Sequence, residues 1–242
     1  MCKCNNTGVT HIGYQGATRL GFGEWACECE LGGQVLAARR AEARKAQLMQ
    51  TINSAGIPRK YAEATLDTWR NAGRRAIEKV KAHKQVCDWV EMAKAGRGKP
   101  WLFLLGKTRR GKTGLGIGAL KALIAEGHTA AFVSAYDMID AVKARFGGNV
   151  EDYTEALASV DVLMLDELVT EKLTDWRRDV LFTLLWRRDA AQRITIITTA
   201  AGNEQWIPAI SEAGVARIDE NALRVVIEGR PLMYGQDGEI WP

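Results

Sequence analysis

Apolar residues along this chain fall into two patterns, short continuous runs and spaced stripes. Trp101 to Leu105, Val160 to Leu165 and Ile194 to Thr199 are runs with almost no charge, as expected for strands covered on both faces of a parallel sheet. Thr129 to Ser134 is a shorter run of the same kind. Between these runs, Leu115 to Glu126, Tyr136 to Phe146, Asp152 to Ser159 and Thr174 to Gln192 carry helical spacing. In the last of them Val180, Leu181, Leu184 and Leu185 fall on one side. Strand and helix in alternation predict an α/β fold, a parallel sheet flanked by helices on both faces.

The first hundred residues read differently. Residues 1–32 are rich in Cys, Gly and Thr and predict hairpins. Gln34 to about Asn53 is a breaker-poor helical stretch that stops at Ser54-Ala55-Gly56-Ile57-Pro58. A second helix is predicted over Arg75 to Ala95, where Ile77, Val80, Val86, Val90 and Met92 stand among lysines. Gly96 to Pro100 then turns the chain into the Trp101 strand. The expected organisation is a small head over 1–32, a helical linker over 33–74 and the α/β domain over 75–242.

With 242 residues the chain can bury a full core. No apolar stretch approaches the roughly 20 residues that span a bilayer, and Met1-Cys2-Lys3-Cys4 lacks the apolar core of a signal peptide. A cytoplasmic protein with no membrane partner is therefore expected. Net charge is only +4, but it is uneven. Arg39, Arg40, Arg44, Lys45, Arg59, Lys60, Arg70, Arg74, Arg75, Lys79, Lys81 and Lys84 face few acids over the same span, which fits nucleic acid or a solvated helical surface.

Chemistry concentrates just after the first buried run. Gly106-Lys107-Thr108-Arg109-Arg110-Gly111-Lys112-Thr113, followed by Gly114, has the pattern of a nucleotide phosphate loop between a strand and a helix. Two glycines let consecutive N–H groups face the β-phosphate of ATP or GTP. Lys112 brings a charge for the β- and γ-phosphates, Thr113 offers its hydroxyl to Mg²⁺, and the helix directs its positive end at the anion. The Val160 run ends in Asp166-Glu167, at the strand end that lies beside such a loop. Asp166 is the candidate for holding Mg²⁺ through water, and Glu167 for orienting and deprotonating the attacking water.

Four of the five cysteines form two close pairs, Cys2-Lys3-Cys4 and Cys27-Glu28-Cys29, separated by a Gly-rich loop. They match two knuckles around one tetrahedral Zn²⁺, in place of a core that so short a segment cannot build. Free thiols are the alternative in a reducing compartment. Cys87 stands alone and reads as a small buried hydrophobe.

Taken together, these residues resemble the DnaC-like helicase loaders and their IstB-like relatives, a branch of the AAA+ ATPases, along nearly the whole chain. The cysteine head looks like the metal-binding part of many members, and Gly56-Ile57-Pro58-Arg59-Lys60-Tyr61 with Thr65-Leu66 looks like their linker into the ATPase domain. The resemblance implies ATP hydrolysis, a replicative DNA helicase and single-stranded DNA as partners, and ATP-dependent self-association. Ile194 to Ala200 matches the sensor strand; Ala200 takes the place of the usual asparagine, so Thr199 or Thr198 is left to substitute. Gly214-Val215-Ala216-Arg217-Ile218 looks like the motif of an arginine finger, and Arg230 is a candidate second sensor. Arg109 replaces a usual glycine, where a side chain either narrows the loop or contacts the γ-phosphate; weak turnover is the corresponding expectation. The functional expectation is a protein that loads or remodels a replicative helicase on DNA. The alternatives are a transposition helper on duplex DNA, a nucleotide-gated adaptor with little hydrolysis and, more remotely, a nucleotide kinase.

Overall fold

Trp101–Leu105 forms the strand β4, an inner strand of a five-stranded sheet, with Trp101 to Leu104 fully buried. The computed structural model describes residues 4–5, 7–11, 13, 15–21, 23–73, 77–144, 150–168, 174–200, 202 and 212–229. They divide into two compact units, Met1–Gln50 and Thr51–Pro242.

In the first unit β1 (Val9–Thr10), β2 (Thr18–Gly21) and β3 (Glu24–Ala26) form a small antiparallel sheet in the order β1-β3-β2. The long helix α1 (Glu30–Ser54) follows. It starts four residues before the expected Gln34.

The second unit continues with a short 3-10 turn at Arg59–Tyr61, α2 (Leu66–Gly73) and α3 (Ile77–Lys94) before β4. Then come α4 (Lys112–Ile124), β5 (Ala130–Ser134), α5 (Ala135–Lys143), α6 (Val150–Ser159), β6 (Val162–Asp166), α7 (Asp175–Ala190), β7 (Ile194–Thr199), α8 (Glu212–Asn221) and β8 (Ala222–Val226). Strand order is β5-β6-β7-β4-β8, and every pairing is parallel. The α/β fold with a flanked parallel sheet is thus as the alternation predicts.

Boundaries shift for local reasons. β6 begins at Val162 because Asp161 is engaged outside the ladder: its Oδ2 accepts from the Thr129 N–H at 2.9 Å and from the Thr129 hydroxyl at 2.7 Å. α4 begins at Lys112, three residues before the expected Leu115, directly after Gly111 in the left-handed region at φ +90°. Gly118 lets α4 approach the segment before α2, since a Cβ there would lie 2.8 Å from the Leu66 backbone nitrogen. Lys121 fastens the same contact by donating to the Tyr61 carbonyl at 2.8 Å.

The end of the sheet away from the loop is held by Arg188, which is wholly buried. Its guanidinium donates to the Thr195 hydroxyl and to the carbonyls of Leu157, Ala158, Val160, Asp161 and Ile194. Burial, then the nearby Arg193, presses its pKa down to about 9 against a partial offset from Asp161, so it stays charged at neutral pH. One side chain thereby closes the last turn of α6 and sets the starts of β6 and β7.

Candidate nucleotide-binding site

Gly106 leaves β4 at φ +146°, where a Cβ would lie 2.4 Å from the Ile227 carbonyl oxygen. Only glycine allows the chain to turn that close to the end of β8. The loop runs to Gly111 with Lys107, Thr108 and Arg109 exposed and Arg110 half-buried. Arg109 stands at φ +62°, a left-handed conformation that costs a non-glycine residue about 1–2 kcal/mol. Lys112 and Gly114, in the first turn of α4, are buried.

The Lys112 ammonium donates to the Lys107 carbonyl at 3.1 Å, across the mouth of the loop. Burial lowers its pKa from the usual lysine value; Asp166 and Glu167 oppose the shift, and Arg110 adds to it. A cation held back by burial and aimed at the loop is well placed to exchange a carbonyl for phosphate oxygens.

Parallel pairing of β6 with β7, Leu165 opposite Ile197, sets Asp166 beside Thr198. The Thr113 hydroxyl donates to Asp166 Oδ1 at 3.0 Å, and the Thr198 hydroxyl donates to the same oxygen at 2.6 Å. Glu167 lies exposed at φ +53°, and its N–H donates to the Thr198 hydroxyl at 3.0 Å. The next N–H, of Leu168, donates to the Thr198 carbonyl at 2.8 Å. Thr198 therefore holds the whole turn that carries the two carboxylates. A hydroxyl touching a carboxylate at a phosphate loop is an oxygen-donor pair of the kind Mg²⁺ takes, so these residues fit that ion.

Thr199 is fully buried opposite Leu105, and Ala200 is half-buried. Arg217, on α8, is turned toward its own chain. Its Nε lies 3.1 Å from Asp189 Oδ2 without alignment for a hydrogen bond, Nη1 donates to the Ala213 carbonyl at 3.1 Å, and the guanidinium covers the Phe182 ring at 5.2 Å. Arg230 lies outside the described residues, as does Cys2.

One contact to the loop comes from outside the motif. Trp69, 2% exposed on α2, donates from Nε1 to the Gly111 carbonyl at 2.9 Å. Its ring stacks on His83 of α3, with centroids 5.9 Å apart and planes 9° from parallel.

In the first unit the turn after Cys4 is closed by Thr7, whose N–H and hydroxyl both donate to the Cys4 carbonyl. The Cys27 N–H donates to the Gly8 carbonyl at 2.9 Å. These bonds gather Cys4, Cys27 and Cys29, their sulfurs all within 4.8 Å of one another and those of Cys4 and Cys29 3.6 Å apart. A tetrahedral zinc with bonds of about 2.3 Å holds sulfurs about 3.8 Å apart, so the donor set fits that ion. The Gly32 N–H, in the first turn of α1, donates to the Cys29 sulfur at 3.4 Å.

The model of the IstB-like ATP binding protein family matches residues 23–220. This chain belongs to that family. The Escherichia coli (strain K12) replicative helicase loader DnaC is 22% identical over 199 residues, which cover 80% of this chain and 78% of that protein. The crystal structure of the DnaC helicase loader superposes with a TM-score of 0.61 at 24% identity, covering 71% of this chain and 100% of that one. The replication initiator DnaA, solved with AMPPCP and single-stranded DNA, gives 0.56 at 19% identity, over 69% of this chain and 50% of that one. The fold is that of the AAA+ domains, and the family is an ATP-binding one. No helix among the described residues is long and apolar enough to cross a membrane.

Proposed function

We propose that this protein is an ATPase of DNA replication that loads or remodels a replicative helicase on DNA. The observation that carries the reading is the meeting of Lys112, Thr113, Asp166 and Glu167 at the mouth of β4 and β6. The likeness to DnaC over 78% of that protein's length supports the helicase side.

In this reading the loop N–H groups and Lys112 take the β- and γ-phosphates of ATP, Lys112 leaving the Lys107 carbonyl to do so. Mg²⁺, when bound between Thr113 and Asp166, supplies charge neutralisation at the phosphates. Glu167 orients a water for in-line attack on the γ-phosphorus and takes its proton, and Thr198 fixes the turn that aims it. Arg217 completes the site of a neighbouring subunit in an ATP-dependent oligomer. Zn²⁺ is held by Cys4, Cys27 and Cys29, with Cys2 as the fourth ligand, and the head so formed grips the partner. Exposed Arg39, Arg40, Arg59, Lys60 and Lys81 take single-stranded DNA by its phosphates.

A nucleotide-gated adaptor with little hydrolysis is the second reading, favoured by the exposed Arg109 at left-handed φ and by Ala200 at the strand tip. Pull-down of the intact protein from its host, with and without ATP, separates these from the transposition helper. A replicative helicase in the ATP eluate supports the proposal; a transposase overturns it. In parallel, Lys112→Ala should abolish ATP binding while Glu167→Gln keeps binding and loses turnover. Wild-type turnover in Glu167→Gln would leave the water-activating role without a holder.

A further inference from the structure

Helix α7 leaves a tryptophan outside the core. Trp186 is 48% exposed, the one exposed tryptophan among the described residues. It shares a stripe with Asp179 and Phe182, at i, i+3 and i+7 of α7. On α8, Ala213, Arg217 and Glu220 make a second stripe at i, i+4 and i+7. The Arg217 guanidinium lies over the Phe182 ring at 5.2 Å and so joins the two stripes into one face. Asp179, Trp186, Ala213 and Glu220 are exposed on it. An aromatic anchor with a small residue and two carboxylates suits a protein partner, whereas the carboxylates repel the phosphates of DNA.

The same chain carries the complement of this face at its phosphate loop. Lys107 and Arg109 are exposed there, and no ion pair among the described residues engages these two cations, Asp179 or Glu220. Arg109 keeps its side chain at φ +62°, a conformation that glycine takes without strain; strain of that kind persists where the side chain has a use. Helix α4, which follows the loop, packs with α2 and α3, while α7 packs with α6 and α8. Cations and carboxylates thus belong to different helix layers of one chain, and a second copy brings them together. Two unlike faces make a heterologous contact, which closes into a ring or continues as a helical filament. Where Arg217 reaches a neighbour's ATP, the stripe positions beside it, about 5–6 Å away, arrive at the loop that holds that ATP.

We propose that a second copy of this chain covers the α7–α8 face, with Trp186 as the apolar anchor and with Asp179 and Glu220 receiving the Lys107 and Arg109 side chains of that copy. This rests on the reading of Arg217 as a residue that serves a neighbour's ATP, and it adds the surface that brings Arg217 there.

The test is sedimentation velocity of the full-length protein with ATP and Mg²⁺, over a range of protein and salt concentrations, for wild type, Trp186→Gln and the Asp179→Lys, Glu220→Lys double variant. Melting temperature and calorimetric ATP affinity in dilute protein accompany each. Trp186→Gln should need at least about tenfold more protein to assemble, the loss of an aromatic anchor. The double variant should need at least about tenfold more as well, and added salt should weaken its assembly less than that of wild type. Both should melt within about 5 °C of wild type and bind ATP as it does, because all three positions are exposed and outside the loop. Where Trp186→Gln melts lower than that, the double variant decides. Assembly of the double variant at wild-type concentrations, or with wild-type salt dependence, overturns the inference and leaves the Arg217 reading standing. Unchanged assembly with loss of a host protein that wild type captures gives the face to that protein and also overturns it. Wild type that binds ATP and stays monomeric removes both readings together.

Discussion

The Thr198 hydroxyl serves two groups at once, donating to Asp166 Oδ1 and accepting from the Glu167 N–H. Thr198→Val keeps the shape and removes both bonds. It leaves a buried carboxylate oxygen short of a donor and frees the left-handed turn at Glu167. Turnover number should fall at least about tenfold with little change in ATP affinity, folding stability should drop by about 1–3 kcal/mol, and Thr198→Ser should restore both. Steady-state kinetics on the three proteins decide it: equal turnover in the valine variant rejects the role. The phosphate loop was legible in the sequence because its chemistry lies in consecutive backbone amides and one lysine. The place of Thr198 was not, because it depends on how β6 and β7 are registered, and no local signal separates it from Thr199. The low exposure of Lys79, 4%, was not legible for a related reason: charge is visible in a sequence, but the face of a helix that a neighbour will cover is not.

Among the elements, α2, α8 and β8 are the ones the apolar pattern missed. The signal for α2 was present. Thr65 accepts from the Thr68 N–H and Thr68 accepts from the Thr65 N–H, a reciprocal cap with threonine where glutamate is usual. At eight residues α2 has too few turns for its apolar stripe to stand out, and it lies in the stretch read as linker, 33–74. β8 follows α8 with no intervening turn residue, so nothing punctuates its start. What makes α2 matter is Trp69. Trp69→Phe should keep the stack on His83 and lose only the bond to the Gly111 carbonyl, which still accepts from the Leu115 N–H at 3.0 Å; the expected cost is about 1 kcal/mol. Trp69→Ala empties a buried site and should cost about 3–5 kcal/mol, and ATP should bind more weakly because the loop loses its backing. Denaturant unfolding with and without ATP measures both, and a Trp69→Ala protein with wild-type stability would show that α2 does not brace the loop.

At the scale of the whole molecule two separate units imply two separable losses. If zinc holds the head, elemental analysis should find about one zinc per chain, absent from the Cys27→Ser, Cys29→Ser double variant, and proteolysis should then open the first unit while ATP affinity stays near wild type. A metal-free protein with a protease-resistant head would favour free thiols. Assembly is tested through Arg217. In the single chain it rests against Asp189, the Ala213 carbonyl and the Phe182 ring, so serving a neighbour's ATP requires it to leave Asp189. That departure leaves Asp189 with a partner, because Asn221 Nδ2 donates to its other oxygen at 3.0 Å. Arg217→Ala should therefore fold and bind ATP as wild type does in dilute solution, but lose the extra hydrolysis brought by high protein concentration or by DNA. Mixing Arg217→Ala with Lys112→Ala sharpens the test, because a mixed interface sets an intact ATP pocket against an intact arginine. Partial recovery of hydrolysis in the mixture is the expected result. If the mixture stays inactive while both variants assemble, or if Arg217→Ala alone hydrolyses ATP at the wild-type rate, Arg217 does no more than pack against Asp189.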